Sequence, residues 1–316
     1  MRRAPGPLLA AVLPALVAVA CGSSADPTPT PSVVPSATPA PLPLIVAAGD
    51  IACQPGSRDP CRHEQTAAVI DGLAPDLVLP LGDNQYESGT LEEYGAVYNV
   101  SWGRFRPRSK PVPGNHEYQD TAAKGYYDYF NGSGAFTGMA GDRDRGYYSY
   151  NFGNWHFVAL NSNCTSIKGC GAGSPQHAWL REDLSRNDLP CTLAYAHHPR
   201  FSSGRNGSSG ELAPLWQVLY DFNVDVYLCA HDHHYERFAP QRADGTFDPT
   251  RGIREFVVGT GGRSLTPFVT MLPNSDVQDT TSFGVLAMRL GPGFYEWKFA
   301  ATPGLPLADS GTGLCH

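Results

Sequence analysis

The stretch Leu228-Cys229-Ala230-His231-Asp232-His233-His234-Tyr235-Glu236-Arg237 continues an apolar run, Val224-Asp225-Val226-Tyr227-Leu228, and sets two histidines at spacing i, i+2. The run reads as a short buried strand, bounded by a polar turn. At or just past a strand end, that spacing lets two imidazoles converge on one small volume. Neutral imidazole is a ligand for zinc, iron and manganese, so the stretch is a candidate metal site. Its competing reading is a polar turn that happens to be rich in histidine.

Four more predicted strands end in matching chemistry. Leu44-Ile45-Val46-Ala47-Ala48 enters Gly49-Asp50, and Asp76-Leu77-Val78-Leu79-Pro80-Leu81 enters Gly82-Asp83-Asn84-Gln85-Tyr86. Lys110-Pro111-Val112-Pro113 enters Gly114-Asn115-His116-Glu117, and Thr192-Leu193-Ala194-Tyr195-Ala196 enters His197-His198-Pro199. In open sheets covered by helices, such groups gather outside the carboxyl ends of the strands, where ligands bind. One site assembled from five segments is therefore expected.

This ordered set resembles the motifs of the calcineurin-like metallophosphoesterases. Tyr86, three residues after Asp83, with no histidine two residues after Asp50, narrows the likeness to the purple acid phosphatase branch. Supporting runs are Gly146-Tyr147-Tyr148-Ser149-Tyr150, Phe157-Val158-Ala159-Leu160-Asn161 and Val258-Gly259-Thr260-Gly261-Gly262, and the likeness spans about residues 44 to 300. The resemblance implies an α/β fold, a four-layer α-β-β-α sandwich of two mixed sheets flanked by helices, in a bacterial form with a single catalytic domain. It implies two metal ions, Fe3+ with Zn2+, Mn2+ or Fe2+. One would be held by Asp50, Asp83, Tyr86 and His233, the other by Asp83, Asn115, His197 and His231. The implied reaction is hydrolysis of phosphate monoesters by a metal-bound hydroxide.

The residue types suit those roles. One carboxylate shared by two cations, here Asp83, screens their mutual repulsion. Tyr86 as a phenolate requires a strongly Lewis-acidic neighbour, since a free phenol ionises only near pH 10, and ferric iron meets that need. The family's ferric phenolate is coloured. His116 would hold a phosphoryl oxygen and protonate the leaving group, as imidazole can near neutrality. Glu117 would support that loop as an acceptor. The His-x-Pro pattern gives the metal to His197, leaving His198, Arg200 and Arg205 as weaker substrate-binding candidates. His234 is not expected to be a ligand, and His63, His156 and His177 read as structural or surface residues.

Charge and composition bound the rest. The chain has 316 residues and a formal charge of −7, which argues against a nucleic-acid surface. Met1-Arg2-Arg3 and the apolar run 8–20 build an export signal, and Ala18-Val19-Ala20-Cys21 resembles a lipoprotein cleavage box with Cys21 as the lipid-bearing residue. Residues 1–21 are thus a signal segment, 22–43 a linker of Pro, Ser, Thr and Ala, and 44–316 the catalytic domain. The expected location is outside the cytoplasmic membrane, tethered by lipid or secreted. The expected partner is a small phosphorylated substrate, with no protein partner evident. Eight cysteines suit an oxidising compartment. Cys53 with Cys61 and Cys164 with Cys170 are the preferred bridges, Cys191 could reach Cys315, and Cys229 is the candidate free thiol. Residues 91–102 are expected to be helical, 125–146 irregular, 147–161 a strand pair and 175–184 a helix. Two rival functions remain: a phosphodiesterase or nucleotidase using the same site, and a non-catalytic tethered binding protein.

Overall fold

The computed structural model describes residues 10–11, 13–18, 20–22, 41–54, 56–57, 61–304 and 307–316. The chain divides into two units, Met1–Ala40 and the compact Pro41–His316. The described residues of Met1–Ala40 are exposed and belong to no helix or strand, and Cys21 among them is a free thiol. The rest of the expected signal and most of the expected linker lie outside the described residues. Among those described, no helix is long and apolar enough to cross a membrane.

Two mixed sheets carry the compact unit. The first has five strands in the order β12 (Ser310–Leu314), β11 (Phe294–Ala301), β10 (Gly284–Gly291), β1 (Leu44–Ala48), β2 (Leu77–Pro80). The second has seven, in the order β3 (Tyr148–Phe152), β4 (Trp155–Ala159), β5 (Cys191–Tyr195), β6 (Val226–Cys229), β8 (Arg254–Val258), β7 (Tyr235–Phe238), β9 (Ser275–Asp279). Parallel pairing joins β1 to β2 and runs through β4, β5, β6 and β8.

Alternation along the strands sorts side chains into two cores. Leu193, Tyr195, Val226 and Leu228 meet Ile45, Leu286, Met288 and Phe299 from the first sheet. Their neighbours Ala194, Ala196, Tyr227 and Cys229 meet Leu180, Leu184, Leu215 and Trp216 on the far side. Those belong to α4 (Pro175–Ser185) and α5 (Ala213–Asp221), while α1 (His63–Leu73) covers β10 and β11 of the first sheet. Strands buried on both faces carry continuous apolar runs, which is why β1, β5 and β6 were legible. At about 1.5–3 kcal/mol per buried aliphatic or aromatic side chain, this double burial is the main force holding the layers. The four-layer sandwich is the architecture expected.

Local chemistry sets the ends of the elements. Ser174 caps α4 by accepting the His177 N–H, with Pro175 at the first helical position. The three-residue α2 (Leu91–Glu93) opens with a capping box between Thr90 and Glu93, then relaxes into a π-helical turn at Tyr94–Tyr98 and a 3₁₀ segment at Trp102–Arg108. One regular helix was expected there. Residues 110–113 make only isolated bridges, Val112 to Leu81 beside Ser109 to Val78, because Pro111 and Pro113 have no N–H for a ladder. The expected irregular rim contains α3 (Lys124–Asn131), whose Tyr126, Tyr127 and Phe130 are buried against the core.

Three disulfides close among the described residues: Cys53–Cys61, Cys164–Cys170 and Cys191–Cys315, with Cys229 free and buried. The third joins residues 124 apart in sequence and ties the end of the chain to the start of β5. Replacing Cys191 and Cys315 by alanine should lower the unfolding free energy by roughly 2–5 kcal/mol. Urea unfolding reads this directly, and a loss below about 1 kcal/mol would show that the long loop is held by other contacts.

Candidate metal centre

Asp50 leaves β1, Asp83 leaves β2, His197 leaves β5, and His231 and His233 leave β6, so the carboxyl ends of four strands deliver five side chains to one place. Tyr86 and Asn115 arrive on the intervening loops. Tyr86 Oη lies 2.7 Å from Asp50 Oδ1, 3.0 Å from Asp83 Oδ2 and 3.2 Å from His233 Nε2. His233 Nε2 is also 3.2 Å from Asp50 Oδ1. A second group gathers around His197 Nε2, which lies 3.3 Å from Asp83 Oδ2, 3.2 Å from Asn115 Oδ1 and 3.2 Å from His231 Nδ1. Asp83 Oδ2 belongs to both groups. All seven side chains expected to meet do meet.

The donor chemistry suits cations. His197 Nδ1–H donates to the Leu81 carbonyl at 2.9 Å, which leaves Nε2 an acceptor facing a carboxylate, a carboxamide oxygen and another imidazole nitrogen. Acceptors so placed repel unless positive charge lies between them. Donors of one ion bound at about 2.0–2.2 Å stand roughly 3 Å apart, the spacing in both groups. Without metal, His197 and His233 carry the demand for charge, while burial and the neighbouring His197 hold His231 neutral. Burial pulls His197 down, but Asp83 outweighs it and pushes the ring up to about 9. Burial, then the charges of Asp50 and Asp83, raise the Tyr86 phenol well above 10, so only a strong Lewis acid would make it a phenolate.

Backbone and outer side chains fix these groups. Asp50, Asp83 and His231 all have positive φ, at 57°, 46° and 71°. Each such residue costs on the order of 1–3 kcal/mol and persists where surrounding bonds over-determine it. The buried Glu117 accepts the N–H groups of Gly114, Asp83, Asn84 and Gln85 at 2.7, 2.9, 2.9 and 3.2 Å, and the Tyr94 hydroxyl at 3.0 Å. Asp83 Oδ1 in turn accepts the His116 N–H, and Asp50 Oδ2 accepts the His231 N–H. Close approach requires two glycines. A Cβ at Gly114 would lie 2.1 Å from Asp83 Oδ1, and one at Gly82, where φ is 85°, would lie 2.7 Å from the His197 ring.

His116 lies tilted against Tyr86, with ring centroids 4.3 Å apart and planes at 51°, its Nδ1 2.5 Å from the Glu87 carbonyl and its Nε2 3.9 Å from Asp83 Oδ2. Asp232 is no donor to the cluster, because its carboxylate holds Ser202 Oγ and the N–H groups of Asn206 and Gly207. His234 is buried beside Glu236, away from the two groups. His198 lies against His231, with ring centroids 4.3 Å apart. Arg200 reaches instead to the Ala243 carbonyl and stacks on Phe201, and Arg205 is exposed on the loop beyond. Sequence reasoning missed Ser264, whose Oγ lies 2.7 Å from His233 Nδ1, and Arg263, whose guanidinium lies 5.2 Å from the centre of the Tyr86 ring. Neither carries a local signal, since each acts on a residue far away in sequence.

A four-layer sandwich with two donor groups sharing a carboxylate at its strand ends is the build of a binuclear metalloprotein. The chain belongs to the calcineurin-like phosphoesterases, whose family model matches residues 43–235. Purple acid phosphatase 23 of Arabidopsis thaliana is 30% identical over 240 residues, which cover 62% of this chain and 49% of that protein. Human acid phosphatase type 7 is 28% identical over 232 residues, covering 61% and 50%. The purple acid phosphatase PPD1 of yellow lupin superposes with a TM-score of 0.71 at 20% identity, covering 86% of this chain and 53% of its own. This chain thus spans about half the length of these curated relatives. The likeness to the purple acid phosphatases implies a binuclear metal centre.

Proposed function

We propose that the protein is an exported binuclear-metal phosphatase acting on phosphate monoesters. The single observation that carries this reading is Asp83 Oδ2, placed 3.0 Å from the phenol of one donor group and 3.3 Å from the imidazole of the other. Asp50, Asp83, Tyr86 and His233 would hold Fe3+, and Asp83, Asn115, His197 and His231 would hold Zn2+, Mn2+ or Fe2+. Bound there, the pair supplies the Lewis acidity and the activation of water that phosphate-ester hydrolysis requires.

The chain's own residues do the rest. His116 donates Nδ1–H to the Glu87 carbonyl, so its Nε2 is the nitrogen that takes and gives a proton. That atom faces the cluster, where it delivers a proton to the departing ester oxygen. Glu117 and the backbone bonds around it keep Asp83 from following the charge that moves during the reaction. Export is supported by the charged and apolar start of the chain and by the three disulfides, which form in oxidising compartments. Cys21 is the proposed lipid-bearing residue.

The test is a visible absorption spectrum with metal analysis on protein from its native source. Two metals per chain and a visible band that vanishes in Tyr86→Phe are expected; a colourless protein holding two metals would remove the ferric phenolate. Turnover of p-nitrophenyl phosphate should exceed that of the bis ester. The reverse order would favour the diesterase reading, and fewer than two metals per folded chain would favour a binding protein.

A further inference from the structure

His198 sits beside both histidines of the second donor group yet belongs to neither group. Its ring centroid is 4.9 Å from that of His197 and 4.3 Å from that of His231, and one nitrogen of each of the three rings falls within a 4.8 Å cluster. The side chain is only partly buried. Ser162, in the segment leaving β4, grips this residue twice. Its hydroxyl oxygen accepts the His198 backbone N–H at 2.9 Å and lies 2.8 Å from Nδ1 of the ring.

The need of the Ser162 hydroxyl proton for an acceptor selects the tautomer. The Ser162 oxygen already accepts the backbone proton, and donating its own proton to Nδ1 satisfies the buried hydroxyl as well as the ring. A neutral imidazole that accepts at Nδ1 carries its proton on Nε2. His198 therefore differs from His116. In His116 the Nδ1 proton is committed to a carbonyl and Nε2 is the exchangeable site. In His198 the acceptor side is committed to a hydroxyl, and Nε2–H is a standing donor.

We propose that His198 is a fixed hydrogen-bond donor of the phosphoryl site, its Nε2–H gripping a non-bridging oxygen of the bound phosphate group. Ser162 is its positioning residue. The proposal rests on the phosphatase reading and divides the labour within it: His116 exchanges the proton, and His198 binds the oxyanion without exchanging one. It also explains why the ring adjoins the second donor group without completing it. Asp83, Asn115 and His231 already surround His197 Nε2, and Nδ1 of His198 is taken by Ser162.

Two variants of the metal-loaded protein test this. His198→Phe keeps a ring but removes the donor, and His198→Gln places an amide N–H near the position of Nε2. Equilibrium dialysis of inorganic phosphate, metal content, and kcat and KM for p-nitrophenyl phosphate are the measurements. A hydrogen bond to a charged oxygen predicts that His198→Phe weakens phosphate binding and raises KM about tenfold, with kcat falling less. His198→Gln should recover most of that loss, and both variants should keep two metals per chain. Unchanged phosphate affinity in His198→Phe, or loss of metal from both variants, would overturn the proposal. Should His198→Phe fail to fold, His198→Asn, whose amide stops short of Nε2, reads the same loss. A wild type that holds two metals yet hydrolyses no ester would refute the phosphatase reading alone, because phosphate dialysis still decides the role of His198.

Discussion

Asp83→Asn should abolish turnover, by about 10³-fold or more, while the sandwich stays folded. The substitution keeps the shape of the side chain, and its carboxamide oxygen can still accept the His116 N–H now bonded to Oδ1. It removes the negative oxygen that stands between Tyr86 and His197. With that charge gone, two cations held close together lose the group that screens their repulsion. His197 loses the partner that lifts its ring to about 9 against the pull of burial. Metal content should therefore fall below two per chain, with far-UV circular dichroism unchanged. A variant that kept both metals and a tenth of the activity would show that the two donor groups do not depend on a shared ligand.

Glu117→Ala should be the most destabilising single change near the site, although Glu117 belongs to neither donor group. Its carboxylate is the acceptor for four backbone N–H groups and one tyrosine hydroxyl, all on buried residues. Truncation strands these donors, and each buried donor left unsatisfied costs about 1–3 kcal/mol. Relaxation and entering water will recover part of this, so a loss of roughly 3–5 kcal/mol is expected. Glu117→Gln should rescue little. Oε2 serves Gly114 and Asp83 while Oε1 serves Asn84, Gln85 and Tyr94, so an NH₂ group in either place faces donors. Denaturant unfolding of metal-free protein checks the prediction without interference from ligand stabilisation. If Glu117→Gln were as stable as wild type, the carboxylate would be dispensable as a double acceptor. Burial, then the nearby charge of Asp83, pushes the Glu117 carboxyl up to about 7, so it is retained here against an opposing electrostatic cost.

Much of this site was legible because each candidate ligand lies one to a few residues past an apolar run. Asp50, Asp83, His197, His231 and His233 all follow strands whose burial on both faces leaves an unbroken hydrophobic signature. Weaker signals misled. Residues 110–113 look like a strand by hydrophobicity, yet two prolines remove the ladder donors, and the segment holds Asn115 in place through single bridges. The tyrosine-rich sequence of α3 hides its helical period, because nearly every side chain from Gly125 to Phe130 is buried.

The sequence by itself determined which chemistry converges: the order of the strand-end motifs, the residue types able to hold two cations, and the apolar runs that carry them. Those are local properties, written in spacing and composition. Only the tertiary structure decided that Asp83 Oδ2 is the atom common to both groups, that Glu117 ties the Asp83 loop to the Gly114 turn, and that Ser162 fixes the face His198 presents. The decisive contacts, Asp83 with His197, Glu117 with Asp83 and Ser162 with His198, join residues more than thirty positions apart. Their geometry comes from the packing of the sheets, which no local pattern encodes.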